Sequence, residues 1–401
     1  MRPQLAVQYL KFLRNGSLIA LALLSFECVA ATYAVLHAFN GTDGDSPQSA
    51  LVRAKDGNYY GTTYYGGAYG SFGTVYQITS TGSFTSLHSF SATEGYNPSG
   101  LIVGKDGYLY GTTATGGAYS FGTVFKISTT GVLTKLHDFT GGADGAGNGA
   151  ALALGADGNY YGTTVGGTNG LGTIFKITRT GVLTTLHTFG AVPDGALPRS
   201  GLIRATNGNF YGTTSQGGAG DCQGNTGTIG CGTVYQVTTT GVVTVLHSFF
   251  YTDESGIYPW AGVVQGKDGL LYGSAAVGGW GGGGLFKIST TGTFTLLAKF
   301  GIGFSGQRPG AYPYASMTQG ADGYFYGVTQ YTDPYSLGGT LFKISADGTI
   351  FSDPWTWSVF LVNNGYTPIG GLIESRTRGT FYGTTTDGGM NGYGVAFSII
   401  P

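Results

Sequence analysis

An all-β fold, a seven-bladed β-propeller of four-stranded antiparallel blades, is what this sequence predicts, and three observations predict it. The marker Tyr-Gly-Thr-Thr, or a close relative, recurs seven times, at Tyr60, Tyr110, Tyr161, Tyr211, Tyr272, Tyr326 and Tyr382, at intervals of 50 to 61 residues. That is the period of a propeller blade rather than of a helical or leucine-rich solenoid. Between the markers apolar and polar residues alternate, and no segment after residue 31 carries a helical period. Finally, residues 32–39 (TYAVLHAF) have the form of the last piece of the repeat, yet stand ahead of any repeat.

Each repeat reads as strands a, b, c and d. Strand a is a short apolar segment such as SGLIVG, residues 99–104. An Asp-Gly or Asn-Gly pair follows in the first six repeats, as at Asp56-Gly57, Asp106-Gly107 and Asn207-Gly208, supplying the positive φ angles of a tight hairpin into strand b, the Tyr-Gly-Thr-Thr marker. A Gly-rich loop of variable length leads to strand c (GTVFKIS, residues 122–128), and a Thr-Thr-Gly turn leads to strand d. Strand d ends in Leu-His-x-Phe in segments beginning at Thr85, Thr134, Thr184 and Thr244, with degenerate versions ending at Phe300 and Phe360. The last a-b-c set ends at residues 395–400 (VAFSII) without a strand d. The surplus strand d at the start fills that vacancy, so the N-terminal strand is expected to pair with the C-terminal blade and leave no open edge.

Composition narrows the function. Charged residues are 10% and the net charge is -1, so no basic field exists to hold nucleic acid or an anionic membrane. Arg2, Lys11 and Arg14, the apolar residues 18–26 and the small Ala30 and Ala31 form the pattern of a secretory signal peptide over residues 1–31. The apolar run is about half of what a spanning helix needs, and Glu27 ahead of Cys28 fits a lipobox poorly. The expectation is a secreted, monomeric protein, extracellular or periplasmic, whose residues 32–401 form one propeller domain without a membrane span. Cys222 and Cys231 lie in one Gly-rich insertion, where a disulfide is the expected state for an exported chain.

At YGTT, GG, GTVFKI and LHxF the sequence resembles the bacterial tandem-repeat proteins known as GloVer, or choice-of-anchor, repeats, over the whole chain after the leader. The resemblance implies export and a propeller-like body, and brings no reaction and no catalytic residues. No sorting signal or hydrophobic tail follows the last strand, so no C-terminal anchor is expected.

The d-to-a connections and b-to-c loops are long and varied and are expected to share one face, where sites on a rigid scaffold belong. The five histidines, His37, His88, His137, His187 and His247, occupy one repeat position and read as structural. So do Asp43, Glu94, Asp144 and Asp194, which begin a recurring acid-Gly turn. Calcium at Asp43 to Asp45 is a weak alternative, because the ion wants roughly six to eight oxygens; no cofactor and no other metal is expected. Residues that break the repeat remain: Gln48, Pro98, Gly149, Arg199, Trp260 and Tyr314 just before strand a, with Asp253, Glu254, Tyr258, Arg308, Tyr312, Trp280, Tyr331, Asp333 and Tyr335 nearby. Aromatic faces with planar hydrogen-bonding groups suit sugar rings, so the first reading is recognition of a polysaccharide or surface glycan by Gln48, Trp260, Tyr258, Trp280, Tyr331 and Tyr335. Alternatives are a polysaccharide lyase acting on uronates through Arg199, Arg308, Tyr312 and Tyr314, a glycoside hydrolase using Asp253 or Glu254 with Asp333, and a structural envelope or matrix protein.

Overall fold

The computed structural model describes residues 31–401 apart from 148–149, 191, 220–221, 223–229, 253, 279–280, 302–306, 334–335 and 378. The signal-peptide segment therefore lies outside the described residues. Seven separate sheets follow one another along the chain, antiparallel apart from one two-residue parallel strand, Gln307–Arg308, and six of them are built in the order a-b-c-d. The seventh joins Ile373–Glu374, Phe381–Thr385 and Val395–Ile400 to Thr32–Ala38, the N-terminal strand, in register from Thr32↔Ile400 to Ala38↔Val395. We number the blades 1 to 7 by their b strands, Tyr59–Thr63, Leu109–Thr115, Tyr160–Thr164, Phe210–Thr214, Leu271–Ala275, Phe325–Asp333 and Phe381–Thr385.

The core lies between blades. Seven buried clusters each draw on two neighbouring blades, as where Tyr60, Val75 and Phe90 of blade 1 meet Leu101, Leu109 and Phe125 of blade 2. Every letter of the marker has a task in this packing. The tyrosine donates its hydroxyl to the aspartate of the preceding a-to-b turn, Tyr110 to Asp106 at 2.7 Å and Tyr161 to Asp157 at 2.9 Å. It also stacks on the next blade, Tyr110 on Tyr160 at 4.0 Å and Tyr272 on Phe325 at 3.9 Å. The glycine makes room for the strand c aromatic: a Cβ on Gly111 would stand 2.6 Å from Phe125 and one on Gly327 2.4 Å from Phe342, closer than packed atoms approach. The first threonine donates to the neighbouring blade's backbone, Thr62 to Ser99 O at 3.0 Å and Thr163 to Ser200 O at 3.1 Å. The second shares a hydrogen bond with a strand c threonine, Thr63 with Thr74 at 2.9 Å. At the axis the blades meet through small residues; a Cβ on Gly100 would lie 3.2 Å from Ala151 and 3.5 Å from Ser49.

Histidines and acids of successive segments pair with each other. His37 Nε2 reaches Asp43 at 3.0 Å, His137 reaches Asp144 at 3.0 Å and His187 reaches Asp194 at 2.8 Å. The same carboxylates accept from the turn backbone, as Asp144 does from Thr140 N and Asp194 from Gly190 N. In blade 5 Ala298 holds the histidine position and in blade 6 Trp355 does, by register with strand c; Pro309 and Asn364 then replace the acid. In these two blades both partners are absent, whereas after His247 of blade 4 the acid position before the turn glycine is Ser255. Asp43 and Asp45 are thus engaged with His37 and Ser46, and among the described residues no group of three or more His, Cys, Asp or Glu is placed to hold a metal ion.

Strand d of blade 6 departs from expectation. It spans Phe351–Ser358 and closes with Trp355 and Trp357, not with Phe360. Trp357 is 1% exposed, whereas Phe360 is 92% exposed, so Trp-x-Trp does the packing that His-x-Phe does elsewhere. The disulfide Cys222–Cys231 is formed, with Cα atoms 5.2 Å apart. Among the described residues no helix is long and apolar enough to cross a membrane.

Two blades place tyrosine where the other five have phenylalanine on strand c. The hydroxyls of Tyr76 and Tyr235 are buried without a hydrogen-bond partner among the described residues, and burial pushes both phenols well above their usual range. Tyr76→Phe and Tyr235→Phe are each expected to raise stability by about 1 kcal/mol, the desolvation cost of an orphaned hydroxyl. A denaturation midpoint that stays put or falls would mean that the hydroxyl is satisfied, for instance by internal water.

Candidate functional site

Both sets of varied loops do lie on one face. In each blade the d-to-a connection pairs with the b-to-c loop of the same blade, from Asp45↔Tyr65 and Tyr96↔Thr115 through Ala196↔Gln216 to Ala311↔Tyr331 and Tyr366↔Asp387. One residue further on, the chain enters the left-handed region, at Ser46, Asn97, Leu197, Tyr258, Tyr312 and Thr367, with φ between 53° and 60°. Such a conformation is costly for bulky residues and persists where the surroundings dictate it. Here a proline follows, and wedges against a neighbouring blade: Pro98 Cδ would be 2.5 Å from a Cβ on Gly73, and Pro198 Cδ 2.5 Å from one on Gly172. The next residue is the one that breaks the repeat. This gives Gln48, Arg199, Trp260 and Tyr314, together with Ile369, which sequence reading passed over. In blade 2 the segment is one residue shorter, and Pro98 itself fills the place.

Blades 4, 5 and 6 turn these positions into a continuous arc. The Arg199 guanidinium lies 4.8 Å from the Trp260 ring centroid. Trp260 is 4.9 Å from Tyr314, and Tyr314 is 6.0 Å from Tyr312 with the rings nearly parallel. Tyr312 meets Tyr331 edge-on at 5.3 Å. Tyr331 reaches the arc through the loop pairing common to all blades, Ala311↔Tyr331, and strands b and c of blade 6 run on past it as a long hairpin, Phe325–Asp333 and Ser336–Ile344. Trp260 is 40% exposed, and the three tyrosines are half-buried. Burial, reinforced by Tyr312 and Tyr331, raises the pKa of Tyr314, so its phenol is a neutral hydrogen-bond donor.

The other residues singled out from the sequence fall elsewhere. Tyr258 is partly buried beside the cluster between blades 4 and 5, its hydroxyl 3.4 Å from Cys222 Sγ. Gln48 belongs to blade 1 and takes no part in the ring contacts of the arc, which join blades 4 to 6. Glu254 forms an ion pair with Lys299. Asp333 lies at the hairpin tip, opposite Ser336. Arg308 is in a two-residue strand that pairs in parallel with Lys299 and Phe300, and its side chain lies outside the described residues, as do Gly149, Asp253, Trp280 and Tyr335.

The Gloeobacter/Verrucomicrobia repeat model matches residues 12–228 and 222–401. The chain belongs to this family. No curated protein matches it. Among solved structures, this Gloeobacter/Verrucomicrobia repeat protein is similar to the extracellular domain of a hybrid two component system protein from Bacteroides thetaiotaomicron, with TM-score 0.59 and 10% identity over 91% of this chain and 39% of that one. It is also similar to PorZ, a surface component of the type-IX secretion system of Porphyromonas gingivalis, with TM-score 0.56 and 14% identity over 91% of this chain and 48% of that one. The chain thus spans less than half the length of either. At such identities what is shared is the propeller fold.

Proposed function

We propose that this repeat protein is exported and recognises a polysaccharide through the aromatic arc on its varied face. The observation that carries the reading is the unbroken run Arg199, Trp260, Tyr314, Tyr312, Tyr331. Sugar C–H faces stack on such rings, while sugar hydroxyls bond to phenol and guanidinium groups. Export is supported by the basic, apolar and small-residue order of the first 31 residues and by the Cys222–Cys231 disulfide, which persists in an oxidising compartment.

Cleavage is the less favoured reading. A lyase needs a tyrosine that gives up its proton readily, and Tyr314 is shifted the other way. A hydrolase needs two free carboxyls, and Glu254 is engaged by Lys299.

The test is retardation of the purified protein in gels cast with neutral and uronate-containing polysaccharides, with unsaturated products and new reducing ends assayed in parallel. Retardation without product is expected. Trp260→Ala should weaken binding about tenfold, since a stacked anchor contributes on the order of 1–2 kcal/mol, and should melt like the parent because the ring is partly exposed. Undiminished binding by this variant would move the site away from the arc. Unsaturated product would restore the lyase reading, and new reducing ends alone would favour the hydrolase. Retardation by no polymer would overturn recognition in favour of an envelope or matrix role.

A further inference from the structure

We propose that the polysaccharide held by the arc is anionic, and that Arg199 receives the carboxylate of a uronate unit. This rests on the recognition reading and goes beyond it by fixing the ligand's charge and the residue that reads it. Seven residues occupy this repeat position in the sequence, Gln48, Pro98, Gly149, Arg199, Trp260, Tyr314 and Ile369, and Arg199 is the one charge among them. Its neighbours in the arc are an indole and three phenols, so the arc as a whole presents one positive group amid neutral ones.

That group is also left unneutralised. Among the described residues Lys135, Lys299 and Lys343 form carboxylate pairs, whereas Arg199, like the ring-stacked Arg53 and Lys126, has no carboxylate ion pair, and it is exposed. Its position is nonetheless fixed, because the guanidinium lies over Trp260 at 4.8 Å. Stacking on an aromatic face restrains the planar fork without using its N–H groups. A restrained, unpaired fork is matched by a carboxylate, which accepts two parallel hydrogen bonds from it. Tyr314, beside Trp260, offers a neutral O–H to the same sugar or the next. The ring spacings of 4.9 and 6.0 Å along the arc are comparable to the width of a pyranose ring, so a chain of sugars rather than a monosaccharide would cover it. With a net charge of -1 the protein has no long-range attraction for polyanions, and the preference has to be local.

The experiment is titration calorimetry of the protein with polygalacturonate and with the same polymer after reduction of its carboxyls to alcohols, repeated with Arg199→Gln and Arg199→Lys. The parent protein is expected to bind native polymer roughly tenfold or more tightly over reduced polymer, the usual worth of a charge-assisted pair. Arg199→Gln should bind the two forms alike, and Arg199→Lys, with charge but no fork, should keep part of the preference. Equal binding of both polymers by the parent would overturn the anionic assignment while leaving recognition standing. Binding of neither by the parent would overturn the recognition reading itself for this polymer class. An undiminished preference in Arg199→Gln, with its melting transition intact, would remove Arg199 as the reader.

Discussion

A protein beginning at Phe39 is expected to lose cooperative folding and to associate, whereas one beginning at Ala31 should melt as a single unit. The segment removed, Thr32–Ala38, supplies the outer strand of blade 7, and it ties three blades together. Tyr33 stacks on Trp355 of blade 6 at 4.8 Å, lies 5.2 Å from Phe397 of blade 7, and donates its hydroxyl to Asn364 O at 2.5 Å. His37 stacks on Phe84 of blade 1 at 3.7 Å. Losing a buried aromatic anchor costs roughly 3–5 kcal/mol, a large part of the roughly 5–15 kcal/mol that holds a domain together. The deletion also bares Val395–Ile400 as a free edge, a template for pairing with other chains. Size-exclusion chromatography and thermal denaturation would decide the matter, and a monomer with the parent's melting temperature would show that the N-terminal strand does not close the ring. Tyr33→Ala alone should lower stability by about 3 kcal/mol or more.

The closure was legible because it is a matter of counting: seven a-b-c sets and seven d strands require the first segment to complete the last. The marker was legible as a repeat, but not the reason for its letters. That Gly327 is there to admit the Phe342 ring, or that Thr163 bonds to the next blade, depends on contacts across blades that no local pattern encodes. The misplacement of strand d in blade 6 has a similar cause. Phe360 matched the repeat's last letter, yet Trp355 and Trp357 satisfied the register and filled the core. At the candidate site Arg199, Trp260 and Tyr314 stood out because each breaks the repeat at one position. Tyr258 and Tyr312 each stand before a proline in the sequence, and both adopt the left-handed conformation. They part company in their partners: the Tyr258 hydroxyl lies 3.4 Å from Cys222 Sγ, while Tyr312 joins two other tyrosines in blade 6. Cys222 stands 36 residues from Tyr258 in the chain, and only the fold reveals that they meet.

Alkaline solution should unfold this protein in one step, and the cause is the repeated tyrosine. The marker phenols of Tyr60, Tyr110, Tyr161, Tyr272, Tyr326 and Tyr382 all have pKa values raised above the ordinary 10.0. Desolvation is the main cause in each. For the first five the aspartate that accepts the phenolic hydrogen adds to it, because ionisation would set two negative groups face to face. At Tyr326 the cation of Lys343 opposes the shift, yet the pKa is still pushed up to about 12. Above pH 10 the unfolded chain therefore releases protons that the folded chain retains. Stability contributed by these groups is complete below pH 10 and is lost as pH rises through the folded-state values. Each phenol also stands at a blade junction, stacked on the next blade in several cases, so ionising one loosens two layers of core. Circular dichroism and tyrosinate absorbance followed against pH should show a flat region to about pH 10 and then one shared transition. Absorbance that climbs smoothly while the circular dichroism persists would mean that these hydroxyls ionise in place, and that the tyrosine-to-aspartate bonds are not what couples one blade to its neighbour.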